Sequence, residues 1–290
     1  MLVKRVCIVG VGLMGGSLAL ALRLAQRTTV PRFPLHLTLV DRDPKTRQAV
    51  KNLADVVTAD FAAGTADAEL VILATPVRTV VQLLGELAQI RPFGCMVMDI
   101  GSSKVAIEQA MNQLPATFQA IGGHPMCGRE TAGFGSATPD LFRKQTFVLC
   151  RNARTTPAVE EQANTIVELL GANLLLLPAE LHDNIVAVVS HLPYLVAAAL
   201  MRNAAAMDDD NVWPVSSSGF RDTSRVSGTD PTMMLDILLT NKTAVLDQLT
   251  QYQSELTALQ KFIETEDETS LRQWLTETQQ HYRRYRSKKK

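Results

Sequence analysis

A histidine set among glycines is the first residue in this sequence that invites chemistry: His124 lies in Ile121-Gly122-Gly123-His124-Pro125-Met126-Cys127-Gly128. Histidine titrates near neutrality, so a neutral ring can take the proton of an alcohol while a hydride leaves the same carbon. The glycines remove side-chain bulk, as a residue meeting a ligand in a tight turn requires. Ser102, in Asp99-Ile100-Gly101-Ser102-Ser103-Lys104, could hold that ring or the substrate hydroxyl. Arg221 and Arg225 lie four apart in the Ser-, Thr- and Gly-rich segment 217–226. Guanidinium forks bind carboxylates bidentately, so either arginine suits an anionic ligand, although Asp222 offers Arg221 an internal partner. His191, in Ser190-His191-Leu192-Pro193, sits on an apolar helical stretch and reads either as a satisfied core residue or as a site group.

A second constellation points to a dinucleotide. Gly10-Val11-Gly12-Leu13-Met14-Gly15 follows an apolar run and opens a helical pattern. In that context Gly10 allows the turn, Gly12 lets backbone approach a pyrophosphate, Gly15 lets helix pack on strand, and the helix N-terminus presents free N–H groups to the anion. Asp41, ending the next strand, can accept hydrogen bonds from both ribose hydroxyls and would repel a 2′-phosphate, which favours NAD. The adjacent Arg42 could hold such a phosphate and keeps NADP open, and Asp41 could instead cap the following helix. Thr75 and Pro76, in Ala74-Thr75-Pro76-Val77, exit a strand on the same edge, as a cofactor contact, a proline-started helix, or both.

These side chains need a scaffold. Through residue 177, apolar runs alternate with amphipathic stretches: 3–9 then 13–26, 35–40 then 45–53, 70–74 then 77–88, 96–100 then 104–113, then 118–122, 147–150 followed by 158–170, and 174–177. That rhythm is βαβ. Strands apolar on consecutive positions, such as Val6-Cys7-Ile8-Val9, predict a parallel sheet covered on both faces by helices. From Pro178 onward every long segment has helical spacing. The predicted architecture is a Rossmann-type doubly wound α/β domain over residues 1–177 and an all-helical domain over 178–290. Late in the second domain Val245, Leu249, Tyr252, Leu256, Leu259 and Ile263 form one apolar stripe, to be covered by a second copy or within the chain.

Composition narrows the function classes. With 46% apolar residues the chain is neither disordered nor collagen-like. Its 29 Lys+Arg balance 29 Asp+Glu, but six basic residues fall in the last ten positions, leaving 23 against 29 in residues 1–280. A body of that sign repels phosphate backbones, so no nucleic-acid partner is expected, and the basic tail reads as solvated and disordered. Cys7, Cys95, Cys127 and Cys150 are widely separated, which predicts reduced thiols in a cytoplasmic protein and no metal site. Lys4 and Arg5 before an apolar run imitate a secretory signal, but the glycines from Gly10 on break the run and a buried strand is expected. Residues 185–201, the most membrane-like stretch, contain Ser190, His191 and Pro193 and fall short of the roughly 20 clean apolar residues of a span. They predict an interior helix and no membrane association.

With GVGLMGGSLA, ATPV, DIGSSK, IGGHPMCGRE, SHLP and SSGFRDTSRV assembled in that order, the chain resembles the prephenate/arogenate dehydrogenase family of tyrosine biosynthesis over nearly its whole length. The resemblance implies a Rossmann domain joined to a helical domain that forms a homodimer, with the active site between them. It implies that His124 is the catalytic histidine, bonded to the ring hydroxyl of the substrate with Ser102 beside it. Arg225 would grip a substrate carboxylate, His191 would support the site from the helical side, and Glu130 would lie near the amine or keto group. The implied reaction is oxidative decarboxylation of prephenate to 4-hydroxyphenylpyruvate, or of arogenate to tyrosine, with hydride passing to NAD or NADP and no metal. As the sequence stops at Lys290, no appended regulatory domain is expected, and inhibition by tyrosine would be competition at the active site. Two alternatives stand beside this reading. Another Rossmann-plus-helical dehydrogenase, of the β-hydroxyacid or imine-reductase type, would rely on a lysine where this chain offers His191. A non-catalytic NAD-binding sensor would leave His124, Ser102 and Arg225 idle.

Overall fold

Residues Arg5–Val9 form the first strand, β1, and its side chains divide between two cores: Val6 and Ile8 enter one apolar cluster, Cys7 and Val9 the other. This is why the run is apolar without alternation. The computed structural model describes residues 3–30, 32–128 and 131–288. After β1 come α1 (Leu13–Thr28), β2 (His36–Val40), α2 (Pro44–Ala49), β3 (Val56–Thr58), α3 (Phe61–Thr65), β4 (Leu70–Leu73), α4 (Val77–Ile90), β5 (Met96–Asp99) and α5 (Val105–Asn112). The sheet region closes with β6 (Gln119–Pro125), β7 (Thr146–Cys150), α6 (Pro157–Leu169) and β8 (Asn173–Leu176). Leu18 and Leu22 of α1 and Val159 and Ile166 of α6 fill one core, and Val80, Leu84 and Leu87 of α4 with Ile107 of α5 fill the other. Each such side chain contributes about 1.5–3 kcal/mol by leaving water.

The strands form one sheet in the order β3-β2-β1-β4-β5-β6-β7-β8. Pairing is parallel from β3 to β6, so the doubly wound expectation holds there. It fails at the next step, where β7 runs antiparallel to β6. A parallel return needs a crossover, usually a helix, and among the described residues the helical element of the β6–β7 connection is the short 3-10 turn Phe134–Ser136. The small elements β3 and α3 are also absent from the periodicity reading, being too short to show a period. The chain leaves β1 toward β2 on one side while β4 flanks it on the other. This reversal of strand order places the ligand crevice beyond the carboxyl ends of β1 and β4.

Beyond the sheet everything is helical, as the change of period predicts: α7 (Ala179–Val186), a π-helical turn (Ala187–His191), α8 (Leu192–Ala205), α9 (Val212–Val215), α10 (Ser218–Ser224), a 3-10 turn (Arg225–Gly228), α11 (Pro231–Thr240), α12 (Lys242–Glu264) and α13 (Glu268–Lys288). By compactness the chain divides into Met1–Lys242 and Thr243–Lys290, so α7 to α11 share a unit with the sheet.

Two expectations are corrected here. Residues 185–201 are not an interior helix of the single chain, since Val188 is 46% and Val189 61% exposed. Only the face carrying Val186, Ala187, His191 and Ala197 is covered. The basic tail is not disordered as far as Lys288, because Arg283, Arg284, Arg286 and Lys288 continue α13 as exposed helical residues. Lys289 and Lys290 lie outside the described residues.

Candidate active site

His124 lies within β6, paired with Val148 of β7, and not in a turn after the strand. The glycines before it answer to packing. A Cβ on Gly123 would stand 2.6 Å from the Asp99 carbonyl oxygen, and one on Gly122 3.4 Å from Lys104 Cδ. The tight approach is that of the neighbouring strand at Gly123, whereas Lys104 makes ordinary contact beside Gly122. Lys104 and Asp99 form a buried ion pair, and Lys104 Nζ also donates to the Gly123 carbonyl at 2.7 Å. Asp99 accepts the Gly101 amide at 2.7 Å, which bends the 101–104 loop back over the end of β5. Burial pushes the Asp99 carboxyl up, opposed by the Lys104 ammonium and by the amides of Gly101 and Gly123.

The half-buried His124 ring turns Nδ1 to Nε2 of His182 at 2.8 Å, and Nδ1 of His182 meets Asp183 Oδ1 at 2.8 Å. Asp183 also accepts the amides of Lys104 on Oδ1 and of Val105 on Oδ2. Asn241 Nδ2 donates to the Asp183 carbonyl at 2.7 Å and faces His191 Nδ1 at 3.3 Å. Burial, then the proximity of His182, Lys104 and His191, holds His124 well below the usual histidine range. Burial likewise depresses His191, with Asp183 raising and His182 lowering it, to about 4. Both rings are therefore neutral near pH 7. The π-helical turn that ends on His191 has a local cause: Pro193 lacks the N–H that would close an α-turn onto Val189.

The remaining predicted residues belong to the 101–104 loop, to α10 and to the 3-10 turn that follows it. Ser102 is half-buried in the 101–104 loop and makes no hydrogen bond to His124 among the described residues. Arg221 Nε pairs with Asp222 at 3.0 Å on an exposed surface, the internal partner that the spacing offered. Arg225 is exposed and opens the 3-10 turn that packs on α8. Glu130 lies outside the described residues. Sequence reading assigned no role to Lys104, His182, Asp183 or Asn241. Lys104 stood in the quoted DIGSSK run, whereas the adjacent His182-Asp183 pair carries no recognisable spacing.

On the cofactor side, Gly10 takes φ +89°, and a Cβ there would come within 2.8 Å of the Ala74 carbonyl oxygen and Thr75 Cγ2. A Cβ on Gly15 would stand 1.9 Å from the Gly10 carbonyl oxygen, whereas Gly12 faces open space. Leu13 and Met14 begin α1, whose N-cap Gly12 leaves the first-turn amides without a side-chain cap. Asp41 Oδ2 accepts Val11 N at 2.7 Å and Oδ1 accepts Asp43 N at 2.8 Å. The helix cap at α2 belongs to Asp43, not Asp41. Arg42 is exposed beside it. Thr75 Oγ1 is buried with no hydrogen-bond partner among the described residues, beside the glycine loop that its Cγ2 approaches, and Pro76 occupies the N-cap position of α4. These residues fit a dinucleotide. The four cysteines are free, and burial pushes the thiols of Cys127 and Cys150 up to about 11 and about 12, so neither is a thiolate nucleophile.

Residues 24–176 match the family model for the prephenate dehydrogenase nucleotide-binding domain, and residues 178–277 the one for the prephenate dehydrogenase dimerization domain. The chain belongs to the prephenate dehydrogenase family. It is 31% identical to prephenate dehydrogenase of Bacillus subtilis over 92% of this chain and 72% of that protein. The crystal structure of prephenate dehydrogenase from A. aeolicus in complex with hydroxyphenyl propionate and NAD+ superposes with a TM-score of 0.87 at 30% identity, covering 98% of this chain and 99% of that one. Synechocystis arogenate dehydrogenase gives 0.79 at 32% identity over 97% and 99%. As a member of this family the chain is a dehydrogenase, with a nucleotide-binding α/β domain followed by helices.

Proposed function

We propose that this dehydrogenase oxidises and decarboxylates prephenate or arogenate with NAD as hydride acceptor, His124 serving as the base. The observation that carries the reading is the half-exposed His124 ring, whose Nδ1 is taken by His182, on a chain that matches both domains of the family. Nε2 of His124 takes the proton of the ring hydroxyl as that carbon is oxidised. Bound nicotinamide supplies the acceptor for the hydride. The bond to the ring carboxylate then breaks, CO2 leaves, its electron pair makes the ring aromatic, and the proton returns from His124 to the phenolate oxygen. Ser102 orients the hydroxyl, Arg225 binds a carboxylate of the substrate with Arg221 as the lesser partner, and His191 with Asn241 supports the floor. Glu130 would contact the amine or keto group, at the position where some members of the family place an acid.

Gly10, Gly12 and Gly15, with Leu13 and Met14, would receive the pyrophosphate on the α1 N-terminus. Asp41 would accept the ribose hydroxyls, with Thr75 and Pro76 beside the glycine loop. The acid at position 41 supports NAD over NADP, with Arg42 as the feature that opposes it.

We place the domain boundary at 177/178 and the enzyme in the cytoplasm as a homodimer without a nucleic-acid or membrane partner. Residues Ala179–Ala205 form a helix long and apolar enough by length and composition to cross a membrane. Its polar residues His182, Asp183 and His191 are bonded inside the fold, and its apolar flank is better covered by a second copy. Leu256 and Ile263, 48% and 64% exposed, support the same state. The test is reduction of NAD, and separately of NADP, with each of the two substrates. Turnover with neither would end the reading.

A further inference from the structure

We propose that His182 and Asp183 are positioning residues that fix the tautomer of His124, so that its Nε2 carries the lone pair turned to the substrate. The inference rests on the reading of His124 as the base and deepens it. Asp183 uses its carboxylate as an acceptor of two backbone amides, Lys104 N at 2.7 Å and Val105 N at 2.9 Å. Its contact with Nδ1 of His182 at 2.8 Å then needs a donor, and the donor is the imidazole. With its proton on Nδ1, neutral His182 has only a lone pair on Nε2. The 2.8 Å contact between that atom and Nδ1 of His124 requires the proton to sit on His124. One proton remains to a neutral ring, so Nε2 of His124 is left as the acceptor. Had Asp183 been absent, either nitrogen of either ring could carry the proton, and half of the resulting states would present an N–H to a hydroxyl that must lose its own.

The arrangement is sealed. His182 and Asp183 are 1% and 3% exposed, so water does not compete for these bonds. When His124 gains a proton at Nε2, the Nδ1–H bond to His182 becomes charge-assisted, and the Asp183 carboxylate stands at the end of the chain. Among the described residues Lys104 and His191 are the other ionisable groups acting on these rings, and neither replaces Asp183 as acceptor of the His182 proton.

The experiment uses the full-length enzyme with saturating dinucleotide. In ¹⁵N-histidine-labelled wild type, long-range ¹H–¹⁵N correlation should show His124 with a protonated Nδ1 and an unprotonated Nε2. The reverse tautomer overturns the proposal. His182→Leu should lower kcat by about 10²-fold or more with KM nearly unchanged. His182→Gln, whose side-chain oxygen can accept the His124 proton, should recover most of that loss. If Leu at 182 leaves kcat intact, or Gln is no better than Leu, the positioning role is wrong. If His124→Asn kept full turnover, the base assignment itself would fail instead, so the two failures are told apart.

Discussion

Asp183 Oδ1 lies 2.7 Å from the backbone nitrogen of Lys104, seventy-nine residues earlier in the chain. With Val105 N on its other oxygen, Asp183 caps α5 from outside, where Lys104 at the N-cap offers no side-chain acceptor. A carboxylate at a helix N-terminus is also favoured by the helix dipole. The same residue therefore joins α7 to the edge of the sheet and orients His182, which ties the precision of the site to the docking of α7.

The buried Lys104–Asp99 pair should be unforgiving. Lys104→Met leaves Asp99, which is fully buried, without its cation and should cost about 3–5 kcal/mol. Chemical denaturation at neutral pH measures this, and a loss below about 1 kcal/mol would show that Asp99 is protonated in the fold.

Acid should weaken both fold and activity from the same side. His124 and His191 are depressed in the folded state, His191 from 6.5 to about 4. The unfolded chain therefore binds more protons below pH 6.5. Stability is complete above that pH and is lost on acidification through the window down to about 4, by at most about 1.4 kcal/mol per pH unit for each histidine. In kinetics the acid limb of kcat/KM should lie well below 6.5, with a plateau above it. A limb centred near 6.5 would mean that His124 is not the group titrating.

His124→Asn should leave the affinity for NAD nearly unchanged and lower kcat by about 10²–10⁴-fold. Steady-state rates and dinucleotide binding, measured on one preparation, separate the two effects.

Arg225→Gln should raise KM about tenfold through loss of one charge-assisted contact, with a smaller change in kcat. An unchanged KM would move the carboxylate site to Arg221.

Rates with the two dinucleotides should favour NAD, and Asp41→Ser should narrow the difference by weakening NAD. A wild-type preference for NADP would show that Arg42 outweighs Asp41.

Several features were legible in one dimension because they are local. The apolar runs of β1, β4 and β5, the glycine loop at Gly10–Gly15, and the switch to helical spacing at Pro178 each depend on residues a few positions apart. That His124 can exchange a proton near neutrality was legible from its residue type, and Arg221 with its Asp222 partner from their adjacency. Tertiary structure decided the rest. Only the antiparallel pairing of β7 puts His124 inside a strand, and only close strand packing explains Gly122 and Gly123. His182, Asp183 and Asn241 reach the site from helices that follow the sheet, and Lys104 from the loop before α5. Hydrogen bonds over such separations depend on distance and direction in space, which no spacing along a chain records. Likewise, hydropathy marked residues 185–201 as apolar, while which face is covered depends on what the fold sets against it.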